Sequence, residues 1–275
     1  ATTTQRSITL ILSRGMSCGM SLIKKVWLGL RASVFWLGFA LSTLIAGLAV
    51  QLLWLLPVKR RYPFVRLWNS FNLWWLKVTC GVKYQVWGME NIPQDSAFIV
   101  MSNHQSTWET FALAHIFPQH LTWVLKRELL NIPFFGWGIR LIKPIAIDRA
   151  AGRNAVKQIA TQGKALLEEG IGIVIFPEGT RVNPGEKLPY KIGGALLATH
   201  AGFPVVAVAH NAGDSWPRHA WIKQPGTITV SIAPAFSPKG MKADALNNQV
   251  ETWIEAEKLR FPPLDANELE VQGEH

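Results

Sequence analysis

The sequence predicts an α/β protein: a mostly parallel central sheet of about seven strands, covered by helices, with an N-terminal membrane-associated helical segment. Three observations carry that expectation. From residue 82 onward, short apolar β-type runs alternate with helical patterns, the arrangement that yields a parallel sheet buried on both faces. Residues 32–58 contain no charged residue and no His. The composition is 49% hydrophobic and only 17% charged, against roughly 25% charged in an average soluble chain. This excludes global disorder and leaves apolar surface for lipid.

Taken in order, residues 1–20 are rich in Thr, Ser and Gly without apolar periodicity, which predicts a disordered leader. They make no convincing signal peptide, because no small-residue cleavage site follows a short apolar run. Residues 21–80 are expected to form membrane-anchoring helices. The uncharged run has Lys24, Lys25 and Arg31 on one side and Lys59, Arg60 and Arg61 on the other. About 20 apolar residues cross a bilayer core of ~30 Å, so its length permits a crossing. Trp36 and Trp54 stand near its ends, where amphipathic rings prefer the interface. In 63–79, Phe64, Leu67, Trp68, Phe71, Trp74, Trp75 and Val78 follow the helical period, with Arg66, Asn69, Ser70 and Lys77 opposite. Pro63 suits a first helical turn. A Trp-rich face with basic flanks predicts a helix lying in the membrane plane.

An α/β domain is expected over 81–264. Strands are expected at 83–87, 96–101, 121–125, 144–147, 171–176, 204–209 and 226–232. Helices are expected at 108–116, 152–169, 190–200 and 242–260. In 152–169, Val156, Ile159, Ala160, Leu166 and Leu167 share one face, and Gly170 ends the helix. The tail 265–275 holds four acidic residues and no Lys or Arg and is expected to be mobile.

The formal charge of +10 suits an anionic partner such as nucleic acid, a phospholipid surface or a phosphorylated substrate. The basic residues are spread along the chain and form no nucleic-acid motif, so no nucleic-acid partner is expected. Two cysteines, Cys18 and Cys80, cannot build a zinc finger or a disulfide framework. The His residues lack metal-ligand spacing, so no metal is expected. There is no G-x-S-x-G elbow, no Walker A loop and no strand followed by G-x-G-x-x-G. An enzyme of this composition supplies neither covalent nucleophile nor cofactor, and its nucleophile must come from the substrate.

One motif offers a base. His104 follows the strand Ala97–Met101, at the end where open α/β sheets place ligands. Glu109 follows five residues later. On one continuous helix the two side chains would stand ~140° apart. They meet only if His104 lies in the turn before the helix and Glu109 in its first turn. The carboxylate would then fix the imidazole tautomer and leave the other nitrogen to take a proton. The same residues also fit a capping box, with Ser106 as N-cap and Glu109 reaching back to its N–H. Spacing alone leaves both readings open. A second cluster, Pro177-Glu178-Gly179-Thr180-Arg181, ends the strand Ile171–Phe176. There Gly179 allows close backbone approach and Arg181 carries a phosphate-matching fork. His115, His120, His200, His210 and His219 lack motif context and are expected at the surface or at helix ends.

Asn103-His104, four further residues and an acid, then Phe176-Pro177-Glu178-Gly179-Thr180-Arg181, resemble the glycerolipid acyltransferase family, and most closely its bacterial 1-acyl-sn-glycerol-3-phosphate acyltransferase branch. Val124–Leu130 with Pro133–Gly136 resembles the family's lysine-containing stretch. Ile145–Arg149 resembles its arginine block, and Phe203–Val208 its last apolar motif. The five blocks run in family order from about 98 to 210. The family's usual acid is Asp, whereas this chain has Glu109.

The resemblance implies acyl transfer from a thioester, acyl-CoA or acyl-acyl carrier protein, to lysophosphatidic acid, giving phosphatidic acid without a cofactor. His104 would act as general base, oriented by Glu109. Arg181, then Lys126 and Arg149, would bind the acceptor's phosphate. Glu178, Gly179 and Thr180 would shape the site, with Glu178 bracing the turn or Arg181. The substrates imply an anionic membrane surface as partner and a catalytic domain on the cytoplasmic face of the inner membrane. Leu52–Leu56 and Phe134–Ile139 are expected lipid contacts. Two alternatives stay open: another acceptor such as lyso-ornithine lipid, or a non-catalytic membrane lipid-binding protein.

Overall fold

The computed structural model describes residues 22–264. The expected leader at 1–20 and the acidic tail at 265–275 lie outside the described residues. Helix α1 (Leu22–Leu53) holds no proline and only three glycines. It stops before Pro57, whose ring disfavours helical geometry in the preceding residue. Helix α2 (Val58–Cys80) doubles back and ends on Gly81, whose φ of 71° lets its N–H reach Lys77 O. Pro63 lies inside α2 and not in its first turn, as the sequence had predicted. The first four helical N–H groups have no intrahelical partner anyway, so a proline just beyond them forfeits a single hydrogen bond.

The faces of α2 sort differently from the simple amphipathic reading. Phe64, Leu67, Phe71, Trp74 and Val78 are exposed, whereas Asn69 and Asn72 are buried. Asn72 accepts a hydrogen bond from Ser42 of α1 at 3.2 Å. Trp68 and Trp75 turn inward onto the core. Trp75 packs over Gly38 of α1, where a Cβ would collide with the indole. The hairpin therefore presents its apolar stripe outward. A lysine locks it to the rest of the chain: Lys223 is 1% exposed. Its Nζ lies 3.8 Å from the Trp36 ring centroid and 4.6 Å from that of Trp216, and donates to Trp221 O at 2.7 Å.

Seven strands follow: β1 (Val82–Trp87), β2 (Ile99–Ser102), β3 (Leu121–Lys126), β4 (Ile145–Ile147), β5 (Gly172–Ile175), β6 (Val205–His210) and β7 (Gly226–Ile232). They form one sheet in the order β1-β7-β6-β2-β5-β3-β4. Every pairing is parallel except β6 with β7. Residues alternate between two cores, as a strand's two-residue period requires. Val100, Val174, Val206 and Val208 face a core shared with α1, α2 and α3 (Trp108–Ile116). Ile99, Met101, Ile173, Ile175 and Ala207 face the other, against α5 (Arg153–Glu168), α6 (Gly193–Ala201) and α8 (Ala243–Lys258). The remaining helices are short: α4 (Phe135–Arg140) between β3 and β4, and α7 (Ala212–Ser215) after β6.

This order creates one crevice. Strands β2 and β5 are neighbours. The chain leaves β2 towards β3 on one side and leaves β5 towards β6 on the other. Their C-terminal loops diverge to opposite faces, and that divergence opens the gap in which α/β sheets bind ligands.

Candidate active site

Both sequence clusters sit at that crevice. His104 lies in the loop between β2 and α3, and Glu109 lies in the first turn of α3. His104 Nδ1 is 2.7 Å from Glu109 Oε1. A carboxylate only accepts, so Nδ1 carries the proton and Nε2 is left as the basic nitrogen. Nε2 bonds to no described residue, and the His104 side chain keeps 11% of its surface exposed. The ring stacks on Phe176 with centroids 4.0 Å apart, which fixes its plane.

Glu109 is fully buried and also accepts from Gln105 N at 3.0 Å and Ser106 N at 2.8 Å. Glu109 thus reaches back to the Ser106 N–H and holds His104 with one carboxylate, but the N-cap of α3 is Thr107 and not Ser106 as the capping box requires, and Ser106 Oγ accepts from Trp108 N at 3.1 Å. Burial by itself would raise the Glu109 carboxyl; His210, His104 and the Ser106 amide outweigh it and hold the group below the ordinary range.

The second loop braces the first. Glu178 Oε2 accepts from the His104 backbone N–H at 2.6 Å, and Val182 N donates to His104 O at 2.7 Å. Glu178 thus holds the His104 backbone, whereas the sequence had predicted support for the turn or for Arg181; Glu178 and Arg181 form no ion pair. Burial pushes the Glu178 carboxyl up to about 8, against the His104 amide, which favours its ionised form. Gly179 has φ +72°, and a Cβ there would sit 2.5 Å from Lys191 Nζ. That ammonium covers the turn. Thr180 is half-buried.

Arg181 is half-buried and has no carboxylate partner among the described residues. Burial lowers its guanidinium from the usual range, with Glu109 pulling the other way. It stays charged, as arginine does in proteins. Lys126 ends β3, is exposed, and pairs with Glu128 at 3.0 Å. Arg149 begins the short turn after β4; its side chain lies outside the described residues. With strands ~4.8 Å apart, the C-terminal edge from β2 across β5 and β3 to β4 spans about 14 Å. His104 and Arg181 lie in loops that leave this edge, Lys126 ends β3, and Arg149 follows β4. Among the described residues, no group of three His, Cys, Asp or Glu side chains is placed to hold a metal ion.

The chain is similar over almost its full length to the 1-acyl-sn-glycerol-3-phosphate acyltransferase of Pseudomonas aeruginosa, with 43% identity covering 86% of this chain and 93% of that one. It belongs to the acyltransferase family. The family's model, Acyltransferase, matches residues 83–211. The 1-acyl-sn-glycerol-3-phosphate acyltransferase of Saccharomyces cerevisiae is 33% identical over 69% of this chain and 61% of its own. The crystal structure of the 1-acyl-sn-glycerophosphate acyltransferase of Thermotoga maritima superposes with a TM-score of 0.70 at 24% identity, covering 84% of this chain and 94% of that one. At that identity it supports the fold.

The acyltransferase also uses a histidine that sequence reasoning misplaced. His210 was expected at the surface or at a helix end, yet it is 1% exposed. Its Nε2 donates to Asn103 O at 2.8 Å and its Nδ1 accepts from Ala212 N at 3.2 Å. Asn103 answers with both ends of its amide: Nδ2 donates to His210 O at 2.9 Å, and His210 N donates to Asn103 Oδ1 at 3.0 Å. Three bonds thus tie the residue before His104 to His210. Burial, partly opposed by Glu109, keeps His210 below its ordinary pKa and so neutral. The available signal was its position: a polar residue closing the buried strand Val205–Ala209 at the same sheet edge.

Proposed function

We propose that this acyltransferase moves a fatty acyl group from a thioester to the sn-2 hydroxyl of 1-acyl-sn-glycerol 3-phosphate, giving phosphatidic acid. The observation that carries the mechanism is the 2.7 Å contact between His104 Nδ1 and Glu109, which presents Nε2 to the crevice. His104 Nε2 removes the hydroxyl proton as the oxygen attacks the thioester carbonyl. The tetrahedral intermediate collapses, the C–S bond breaks, and the thiol takes the proton from His104. General-base action of this kind contributes typically 10²–10⁴-fold. Arg181 meets the acceptor's phosphate, with Lys126 and Arg149 further along the same edge. The donor is acyl-CoA or acyl-acyl carrier protein.

The helical hairpin supports attachment to one leaflet. Buried α1 residues run from Leu28 to Val50, roughly 33 Å at 1.5 Å per residue. That matches the whole ~30 Å bilayer core. Only one side of α1 is buried, at five residues, and the rest of the helix is free to face lipid. Its exposed side, with Leu37, Leu48 and Leu52, and the outward stripe of α2 lie in the leaflet, and the basic surface meets anionic lipid at ~1 kcal/mol per Lys or Arg. Soluble thioester donors place the crevice on the cytoplasmic face of the inner membrane.

The test is an assay of purified full-length protein with labelled acyl-CoA and lysophosphatidic acid, and separately with other lysolipids. Phosphatidic acid should form, and His104→Ala should slow its formation by roughly 10²–10⁴-fold. A His104→Ala rate within about tenfold of the parent rejects the base assignment, and a preference for another lysolipid rejects the acceptor.

A further inference from the structure

Strand β6 runs parallel to β2, so the chain beyond its C-terminal end starts at the edge that holds His104. There the loop between α7 and β7 carries Arg218, an exposed residue outside every motif that the sequence singled out.

Two anchors on the N-terminal hairpin fix that loop. Trp216 is buried, with its ring 5.4 Å from Phe35 and 5.7 Å from Trp36. Trp221 stacks on Trp36 at 5.7 Å, and its carbonyl accepts from Lys223 Nζ at 2.7 Å and from Trp36 Nε1 at 3.3 Å. Arg218 lies between these anchors in sequence. Next to it, His219 adopts φ +61°, uncommon for a residue with a side chain. An arginine N–H only donates, so His219 Nε2 accepts from Arg218 Nε, at 3.0 Å. The loop is held against α1, the helix whose exposed side meets lipid and where a membrane-resident acceptor arrives.

One peptide group joins Arg218 to the active site. Val182 N donates to His104 O at 2.7 Å, and the oxygen of the same Arg181–Val182 peptide accepts from Arg218 Nη1 at 3.2 Å. With a C=O bond of ~1.2 Å and a C–N bond of ~1.3 Å, Arg218 Nη1 lies within about 8.5 Å of His104 O. Two of the five guanidinium N–H groups are engaged, and the others bond to no described residue. Arg218 disfavours the charge on Arg181 and Glu109 favours it, so the Arg181 guanidinium stands in the field of both. Neither arginine has a carboxylate within salt-bridge distance among the described residues. Two like charges held together without a counter-ion repel until an anion meets them.

We infer that Arg218 is a second binding residue for the acceptor's phosphate, closing with Arg181 as a two-guanidinium clamp. The assignment rests on the proposed reaction. A phosphomonoester carries about −1.5 to −2 at pH 7, which one guanidinium does not balance. Its phosphate is borne by the carbon next to the one that carries the attacking hydroxyl, so its cations must stand close to His104, as these do.

The experiment is steady-state acyl transfer by the full-length protein from labelled acyl-CoA to lysophosphatidic acid, with thermal melts for each variant. Arg218→Gln should raise KM for lysophosphatidic acid about fivefold or more, with kcat and the KM for acyl-CoA each within about twofold. Arg218→Lys, which keeps the charge but not the fork, should raise it less. In the Arg181→Ala background, Arg218→Gln should still lower kcat/KM for lysophosphatidic acid about threefold or more, because a residue that only positioned Arg181 would then have nothing to act on. An unchanged KM for lysophosphatidic acid, a fall in kcat in its place, equal losses for Arg218→Gln and Arg218→Lys, a larger rise in KM for acyl-CoA, or loss of the effect in the Arg181→Ala background each overturns the assignment. A parent that makes no phosphatidic acid rejects the proposed reaction itself, whereas an active parent with an indifferent Arg218→Gln rejects only the clamp.

Discussion

Glu109→Gln tests the His–carboxylate pair with the least damage to the fold. The carboxylate accepts from His104 Nδ1 at 2.7 Å, Gln105 N at 3.0 Å and Ser106 N at 2.8 Å. An amide oxygen in place of Oε1 keeps the bonds from Gln105 N and Ser106 N and loses the 3.1 Å branch from Ser106 N to Oε2. What it removes is the negative charge beside an imidazole that becomes cationic in the transition state. Two unit charges about 4 Å apart interact by ~4 kcal/mol at an effective dielectric near 20. At ~1.4 kcal/mol per decade, kcat should fall by roughly 10²–10³, with KM for both substrates within about threefold. In the His104→Ala background the same change should cost less than about threefold, because the carboxylate acts only through the imidazole. The assay is acyl transfer from labelled acyl-CoA under saturating lysophosphatidic acid, with thermal melts confirming that both proteins fold. A kcat within about threefold of the parent, or a full additive loss in the double variant, refutes the reasoning.

Three further outcomes are expected. Arg181→Ala should raise KM for lysophosphatidic acid about 10-fold or more, from loss of charge-assisted hydrogen bonds, and leave KM for the acyl donor nearly unchanged; equal rises argue against a phosphate role. Glu178 has its folded pKa raised to about 8 from the ordinary 4.5, so the stability it contributes is fully present below about 4.5 and is lost as pH rises through 8. Melting temperatures of Glu178→Gln should therefore gain on the parent across that window, and a pH-independent gap counts against the buried carboxyl. Lys223→Ala should destabilise by about 2 kcal/mol through its aromatic cage, a fall of roughly 4–8 °C, and should speed proteolysis between α1 and the sheet; an unchanged cleavage rate would show that the lysine does not clamp the hairpin.

Much of the fold was legible because its signals are local. Apolar runs of strand length separated by helical periods located all seven strands, and parallel pairing follows from the helices between them. Pro63 misled because a proline's helix-starting preference is statistical, whereas the packing of α2 on α1 recruited five residues ahead of it. The Trp-rich face split for a related reason: periodicity cannot tell a stripe facing lipid from one facing protein, since both environments are apolar. Asn69 and Asn72 betray the difference only through their burial, and Asn72 through its bond from Ser42.

The site was legible as residue types and order. His104, Glu109 and the Glu178–Arg181 loop stand out in the chain because each ends a strand run. The sequence by itself determined which groups are available: an imidazole, a carboxylate five residues on and a dense supply of cations, with no other nucleophile. Only the tertiary structure decided how they are held. Glu109 orients His104 and reaches back to the Ser106 amide at once, because one carboxylate has lone pairs enough for three donors, although Thr107 and not Ser106 is the N-cap. Glu178 grips a backbone N–H 74 positions away, and Asn103 and His210 clasp each other across 107 positions. Contacts of that separation arise from strand order, and strand order is set by the packing of the whole sheet.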